Sequence, residues 1–361
     1  MRLSDIIKKK EGKSVQEKNL ESEIEQSPQI SQPEEKLQEQ KQEQKSGISP
    51  GKVYGDAINL MRDLLKNIEK NKVDFSNIAI IVKDINDLIA GGNKDVVAFC
   101  ERATPDFYLC AHSVNVCILS TLVGYELKKS DIDKLSLCAL LNDLGMIKFT
   151  DLVQKSGKLT SHEFLEIKKH PVYTVQLLEN ISGIESSLKS FIQKIVVQVH
   201  ERRDGKGYPS GLMGENIDEF ARIISIVDVY EALIHPRDWR DRHIPHEAIK
   251  MLIEFAVTDF DVSIIKAFIG TISLYPAGSY VRLNSGEIGK VIGSNPGLPT
   301  RPKVRIIIDP EGNRAKEQKI VDLSVDSMIC VIEAIDETKI KISDKKLALE
   351  LKAQRWWVKG T

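Results

Sequence analysis

The chain has 361 residues, with 51 Lys and Arg against 52 Asp and Glu. That near-neutral balance supplies no bulk field to draw it onto DNA or an anionic membrane, and no unbroken apolar run reaches the ~20 residues that span a bilayer. The length allows two or more domains and a substantial core.

The N-terminus, MRLSDIIKKKEGK, lacks the apolar stretch of a secretory signal. Cys100, Cys110, Cys117, Cys138 and Cys330 are odd in number and contain no CxxC pair. They predict reduced, buried thiols in a cytoplasmic protein. Residues 1–50 are expected to be a disordered tail. From residue 11 onward they are rich in Glu, Gln, Lys and Ser, a composition that buries too little surface to offset ordering entropy.

Residues 51–104 form a helical N-terminal region. Leu60, Leu64, Leu65 and Ile68 recur at helical spacing, as do Ile78, Ile81, Val82, Ile85, Leu88 and Ile89. Gly91-Gly92 ends the second of these helices. Residues 105–272 read as a helical domain. Thr104-Pro105-Asp106 starts a helix to about Leu127, and Ser130–Asp133 starts another to about Gly145. Thr160-Ser161-His162-Glu163 is a capping box. Further helices are expected from about Ser186 to Val199, from Asp218 to Ile234, and from Pro245 to Ile272. The pattern then changes: SYVRLNSGEIGKVIGSN reads as a hairpin turning at Ser-Gly, and PKVRIIIDPEGN as a strand entering a turn. A small β module over 273–335 and a C-terminal tail or helix over 336–361 complete the chain. The expected fold class is mainly α, a helical bundle with a small C-terminal β module and a disordered N-terminal tail.

Five residues stand out within the helical domain. His112 lies early in its helix, and Asp143 ends the next in LLNDLGM. His170 sits in IKKHP, inside the capped helix, and His200 closes the helix that precedes HERRDGKGYPSG. Asp228 interrupts the apolar run IISIVDVYEAL, where a carboxylate is costly unless paired, hydrogen-bonded or bound to a cation. Imidazole and carboxylate together suit a divalent first-row metal, and no thiolate spacing points to structural zinc. Each residue taken singly also admits a purely structural role.

Their order, H…(N)D…H…(V)HE…D, resembles the HD-GYP family of HD-domain metal-dependent phosphohydrolases. The likeness covers about residues 100–270 and is carried by DFYLCAHSVNV, ALLNDLGM, the stretch from Gly157 to Pro171, HERRDGKGYPSG and ARIISIVDVYEAL. YPAGSYVRLNSGEIGKVIGSNP is similar to the β extension that follows such domains. The resemblance implies an HD-domain helical bundle with a metal centre that hydrolyses cyclic di-GMP. It assigns His112, Asp143, His170, His200 and Asp228 as metal ligands, with Asp143 bridging at the catalytic centre. It matches Arg202 to a supporting position of the Gly-Tyr-Pro loop and lays Arg237, Trp239 and Arg240 of HPRDWRDR along the dinucleotide; by their chemistry Arg202, Lys206 and Tyr208 are further candidates to contact a phosphorylated ligand.

Three positions depart from the family. Asn142 replaces the His of the His-Asp doublet, Met146 replaces the Lys after its Gly, and Val199 replaces one His of a pair. Tyr108 occupies the usual third-metal position. The expectation is therefore a degenerate member in cyclic di-GMP signalling. It binds cyclic di-GMP, a related nucleotide or a protein partner, with little or no hydrolysis. It holds at most one divalent ion such as Fe or Mn, or none. The alternative is a weakly active metal-dependent phosphodiesterase with a remodelled site.

Overall fold

The computed structural model describes residues 49–70, 73–93, 95–100, 108–153, 155, 157–235, 243–256, 258–317, 319–336, 340 and 347. The expected tail up to Ile48, the cap at Thr104-Pro105-Asp106 and nearly all of the expected C-terminal helix lie outside these residues.

Helix α1 (Pro50–Asn67) and helix α2 (Phe75–Ala90) lead the helical region, with Gly91 as C-cap of α2. Strand β1 (Val73–Asp74) separates them and pairs in parallel with β2 (Ile181–Ser182) far along the chain. Helix α3 (Tyr108–Glu126) is the centre of the fold, with every side chain from Cys110 to Gly124 buried. A helix buried on all faces needs partners on all sides, and α1, α2, α4 (Ile132–Leu141), α9 (Glu219–Ile234) and α11 (Val262–Ile272) pack around it. By length and composition alone α3 could cross a membrane, which the run of residues did not suggest. However, 83% of its apolar window is buried inside the protein, as a core helix requires.

After α4 come a 3₁₀ segment (Leu144–Phe149), the short α5 (Thr150–Val153) and α6 (Ser161–Ile167). The capping box is present. Thr160 Oγ1 accepts from the Glu163 amide at 3.2 Å, and the Glu163 carboxylate accepts from the Thr160 amide at 2.7 Å. Contrary to the expectation from sequence, His170 does not lie inside this helix. Helix α6 ends at Ile167 and a separate helix, α7 (His170–Leu178), begins at His170. Pro171 has no amide hydrogen, so it fits the first turn of a new helix and breaks the ladder of an old one. Likewise α8 (Ser186–Val196) stops three residues before Val199, and turns carry the chain on to His200. The helical stretch expected from Pro245 to Ile272 consists of two helices, α10 (Pro245–Phe255) and α11. Asp261 caps the second by accepting from Ser263 N.

A five-stranded antiparallel sheet of order β6-β5-β4-β3-β7 follows α11. The strands are β3 (Tyr280–Leu283), β4 (Ile288–Asn295), β5 (Leu298–Ile308), β6 (Ile320–Asp322) and β7 (Val331–Ile335). The β3–β4 hairpin turns at Ser285-Gly286 with Gly286 at φ 89°, a conformation open to glycine. Val281, Leu283, Val291, Val304 and Val321 form its own core. Ser273 Oγ and Leu274 N both donate to Pro299 O and tie the sheet to the end of α11.

Four cysteines are buried, as the sequence implies. Cys330 is exposed, because it lies between the turn after β6 and the start of edge strand β7, where nothing covers it among the described residues.

Candidate metal centre

The five imidazole and carboxylate residues picked from the sequence meet at one point in the bundle. All five are at most 8% exposed. Their donor atoms fall into two groups that share Asp143: His112, Asp143 and Asp228, and Asp143, His170 and His200. His112 Nε2 lies 3.3 Å from Asp143 Oδ2 and 3.0 Å from Asp228 Oδ1. On the other side, Asp143 Oδ1 lies 3.2 Å from His170 Nε2 and 3.4 Å from His200 Nε2. The two histidine Nε2 atoms are 2.8 Å apart.

Local backbone features hold these groups. Asp143 follows the end of α4 and is fixed by a clamp from α7. Thr174 Oγ1 accepts from Gly145 N at 2.9 Å and donates to Asn142 O at 3.1 Å. Gly145 permits this approach, since a Cβ there would sit 2.0 Å from His170 O and 2.7 Å from Thr174 N. His170 Nδ1 donates to Ile167 O at 2.8 Å, which turns Nε2 toward the cluster.

His112 is oriented by a residue to which the sequence reading gave no role. Glu231 is fully buried on α9; one carboxylate oxygen hydrogen-bonds His112 Nδ1, and the other accepts from Asn115 Nδ2 at 2.9 Å. His235 Nδ1 also lies 3.0 Å from the Glu231 carboxylate. Asn115 in turn donates to Cys100 O and accepts from the Tyr54 hydroxyl of α1. The signal was spacing: Asn115 is three residues after His112, and Glu231 three after Asp228. On a helix each pair shares a face.

Burial works against every charge here, and neighbours decide the outcome. Burial pushes His112 down, but Tyr108, Glu231 and the carboxylates of Asp143 and Asp228 hold it well above the usual 6.5. Burial raises Asp143, yet His170, His112 and His200 keep it well below the carboxylate range. His170 is lowered by burial but carried up overall by Asp143. His200 is pushed down by burial and by the neighbouring His170. Glu231, though burial raises it, is held low by His235 and His112.

The donor set fits a divalent first-row cation, with three imidazoles and two carboxylates and no thiolate. One observation tests the fit. His112 Nε2 is buried and makes no well-aligned hydrogen bond despite its two close carboxylates. A buried imidazole nitrogen that faces two carboxylates without a hydrogen bond to either is what an ion between them requires. Asn142 Oδ1 is also buried without a partner, while its Nδ2 donates to Asp143 Oδ1 at 3.0 Å. Val199 is fully buried in the main core, and Met146 is buried beside the cluster.

The 199–211 loop closes one side. Tyr208 lies parallel to His200, with ring centroids 5.1 Å apart. Gly207 lets the loop double back, since a Cβ there would meet Glu201 Cα at 2.3 Å. Glu201, another residue without a role in the sequence reading, accepts from Ser210 N and Leu212 N and pins the loop shut. Arg202 donates to Val199 O, Glu201 O and Ser225 Oγ, so its guanidinium braces the loop. Lys206 pairs with Asp204 at 2.6 Å. Arg237, Trp239 and Arg240 lie outside the described residues.

With this geometry in place, comparison with known proteins is decisive for the fold family. The profile described as an HD domain matches residues 109–264. Residues 109–264 carry the HD-domain fold. A second profile, a KOW domain associated with HD domains, matches residues 280–343, which include the five-stranded sheet. The chain is 29% identical over 254 residues to the cyclic di-GMP phosphodiesterase PA4108 of Pseudomonas aeruginosa, covering 70% of this chain and 60% of that protein. It is 29% identical to the cyclic di-GMP phosphodiesterase PdeB of Borreliella burgdorferi, over 62% of this chain and 56% of the relative. It is 30% identical to 3′3′-cGAMP-specific phosphodiesterase 3 of Vibrio cholerae, over 47% and 36%. The HD-domain chain thus spans 60% or less of the length of each of these relatives.

Proposed function

We propose that this HD-domain protein binds a cyclic dinucleotide, cyclic di-GMP first among them, over a buried divalent-metal site and hydrolyses it little or not at all. The binding half of this reading is supported by five converging donors in a chain whose relatives are named for phosphodiester cleavage of cyclic dinucleotides. The near-zero net charge supports a small anionic ligand or a protein partner over DNA or a membrane surface. Thiols without disulfides accord with a cytoplasmic setting.

The observation that carries weak hydrolysis is the chemistry at positions 142 and 199. A neutral amide oxygen and a core valine stand where the HD-GYP resemblance expects imidazoles. Each group of donors therefore has three protein ligands, and Asp143 is counted in both. Losing a single supporting group around a metal typically costs about 10 to 100-fold in affinity or activity. When bound, an Fe- or Mn-like ion supplies activation of water and neutralisation of phosphoryl charge. His112, Asp143 and Asp228, or Asp143, His170 and His200, would hold it, one tight ion per chain at most.

A second reading, a weakly active phosphodiesterase, is favoured by one feature. Asp143 presents Oδ2 to His112 and Oδ1 to His170 and His200, as a carboxylate shared by two ions would. Elemental analysis together with a cyclic di-GMP turnover assay separates the two. The first reading expects no more than one tightly held ion and turnover far below roughly 1 per second. Two stoichiometric ions with slow but measurable turnover establish the second, and turnover at or above that rate overturns both, because the changes at positions 142 and 199 would then cost nothing. No binding of any cyclic dinucleotide overturns both and leaves a protein partner as the occupant of this face.

A further inference from the structure

The cation that the HD-GYP resemblance expects at position 146 is absent, since Met146 is apolar and buried. A different lysine stands at the edge of the same cluster. Lys168 belongs to the turn between α6 and α7, two residues before His170. Its Nζ lies 5.1 Å from the ring centroid of Phe164 and 5.1 Å from that of Tyr208. Tyr208 in turn lies flat on His200 and edge-on to His170. Tyr208 is only partly buried while His200 is buried, so the ring stands between the histidines and solvent, with the ammonium group held against it.

The neighbouring cations are already engaged. Lys169 pairs with Glu166 at 2.7 Å, Lys155 with Glu163 and Lys206 with Asp204, and Arg202 is tied to backbone oxygens and Ser225. Among the described residues Lys168 pairs with no carboxylate; two aromatic faces hold it. Aromatic faces attract a cation without neutralising it, so its positive charge and hydrogen-bond donors stay available to an anion. An ammonium group is also a common point-charge partner for phosphate. The placement follows from the fold. The 3₁₀ segment carrying Met146 abuts the start of α7 through Gly145, so positions 146 and 168 flank the same junction.

We propose that Lys168 is the phosphate-binding cation of this site, contacting a non-bridging oxygen of the cyclic dinucleotide in place of the lysine that Met146 replaces. This rests on the proposed function, since it names a contact for the ligand assigned there. Phe164 and Tyr208 act as the positioning residues, holding the ammonium over the rim of the metal cluster.

The test is calorimetric titration of the full-length protein with cyclic di-GMP and with 3′3′-cGAMP, using wild type, Lys168→Gln, Lys168→Arg and Lys169→Ala. Gln keeps much of the stem that packs on the rings and removes the charge. A lost charge-assisted contact should weaken binding by about 10-fold or more. Arg should retain most of the affinity, and Lys169→Ala should bind like wild type. The wild-type affinity should also fall with added salt more steeply than that of Lys168→Gln. Unchanged melting temperatures across the set exclude misfolding as the cause. If wild type binds and Lys168→Gln binds equally well, the assignment of Lys168 is overturned and the proposed function stands. If wild type binds neither dinucleotide, both are overturned.

Discussion

Replacing Glu231 is the most searching perturbation of this site, because the residue touches none of the proposed ligand yet holds one side of the cluster. Glu231 is fully buried and serves three groups, His112 Nδ1, Asn115 Nδ2 and His235 Nδ1. Glu231→Ala removes the carboxylate from His112 Nδ1, whereas Asn115 Nδ2 keeps Cys100 O and His235 Nδ1 keeps the backbone carbonyl of residue 231. Breaking a buried charge pair by deleting one partner costs about 3–5 kcal/mol. Glu231→Gln keeps the volume and one acceptor oxygen, but turns an amide donor against donors already present. One mismatched buried group costs about 1–3 kcal/mol. Both changes release His112 from the orientation that points Nε2 at the cluster, so affinity for Mn²⁺ should fall about 10 to 100-fold. Urea denaturation of metal-stripped protein measures the stability loss, and competition against a chelator measures the affinity. A Glu231→Ala protein within about 1 kcal/mol of wild type, with unaltered Mn²⁺ affinity, would refute the reasoning. The stability arm decides even if wild type holds no metal.

Other outcomes follow from the same packing. Gly145→Ala places a methyl group 2.0 Å from His170 O; overpacking of this kind costs about 1–3 kcal/mol or more, and a urea midpoint equal to wild type would contradict it. A thiol reagent at pH 8 should modify Cys330 quickly in the native protein, while buried Cys117, pushed up to about 12 by desolvation, reacts only after unfolding; peptide mapping reads this. Glu163 is held down to about 2, from an ordinary 4.5, by its hydrogen bond to Lys155 and the Thr160 amide. Its folded value is depressed, so its support for the start of α6 is present above 4.5 and lost as pH falls through about 2. A carbon-detected titration of Glu163 with a midpoint near 4.5 would show that the capping box does not form.

The site was legible to the extent that its donors were chemically out of place. His112, Asp143 and Asp228 are polar groups within or beside apolar helices, and a buried charge needs a reason. What could not be read was each donor's support. Arg202 looks like a phosphate contact in sequence, but the loop folds its guanidinium onto its own carbonyls. That use depends on the close backbone approach at Gly207, a tertiary fact. The break between Ile167 and His170 was misread because Pro171 is compatible both with a kink in one helix and with the first turn of another. Only the packing of α7 on the 3₁₀ segment decides between them. The β module was readable as a hairpin plus a strand because alternation and turn residues are local. The order β6-β5-β4-β3-β7 places β7 beside β3 through contacts far apart in sequence, which no local pattern encodes.

Asn142 offers the last discrimination, because its side chain is half satisfied. Nδ2 donates to Asp143 Oδ1, whereas Oδ1 is buried with no partner in the protein. A stranded buried acceptor costs about 1–3 kcal/mol, and a retained neutral hydrogen bond returns about 0.5–1.5 kcal/mol. In metal-stripped protein, therefore, Asn142→Ala should be close to neutral, or stabilising where the cavity collapses. A cation beside Oδ1 reverses that balance, since the amide oxygen then has a partner and becomes a weak extra ligand. An ion at 100 times its dissociation constant stabilises the folded state by about 2.7 kcal/mol, and each tenfold loss of affinity removes about 1.4 kcal/mol of that. Melting curves with and without Mn²⁺ then give two answers from one variant. If Asn142→Ala lowers the Mn²⁺-induced shift while leaving the metal-stripped stability alone, Asn142 has kept part of the role of the imidazole it replaces. If the shift is equal in both proteins, the ion is held without Asn142 and Oδ1 is no ligand. If the metal-stripped variant loses several kcal/mol, the bond to Asp143 matters more than the stranded oxygen, and the assumption that Oδ1 lacks a partner is wrong.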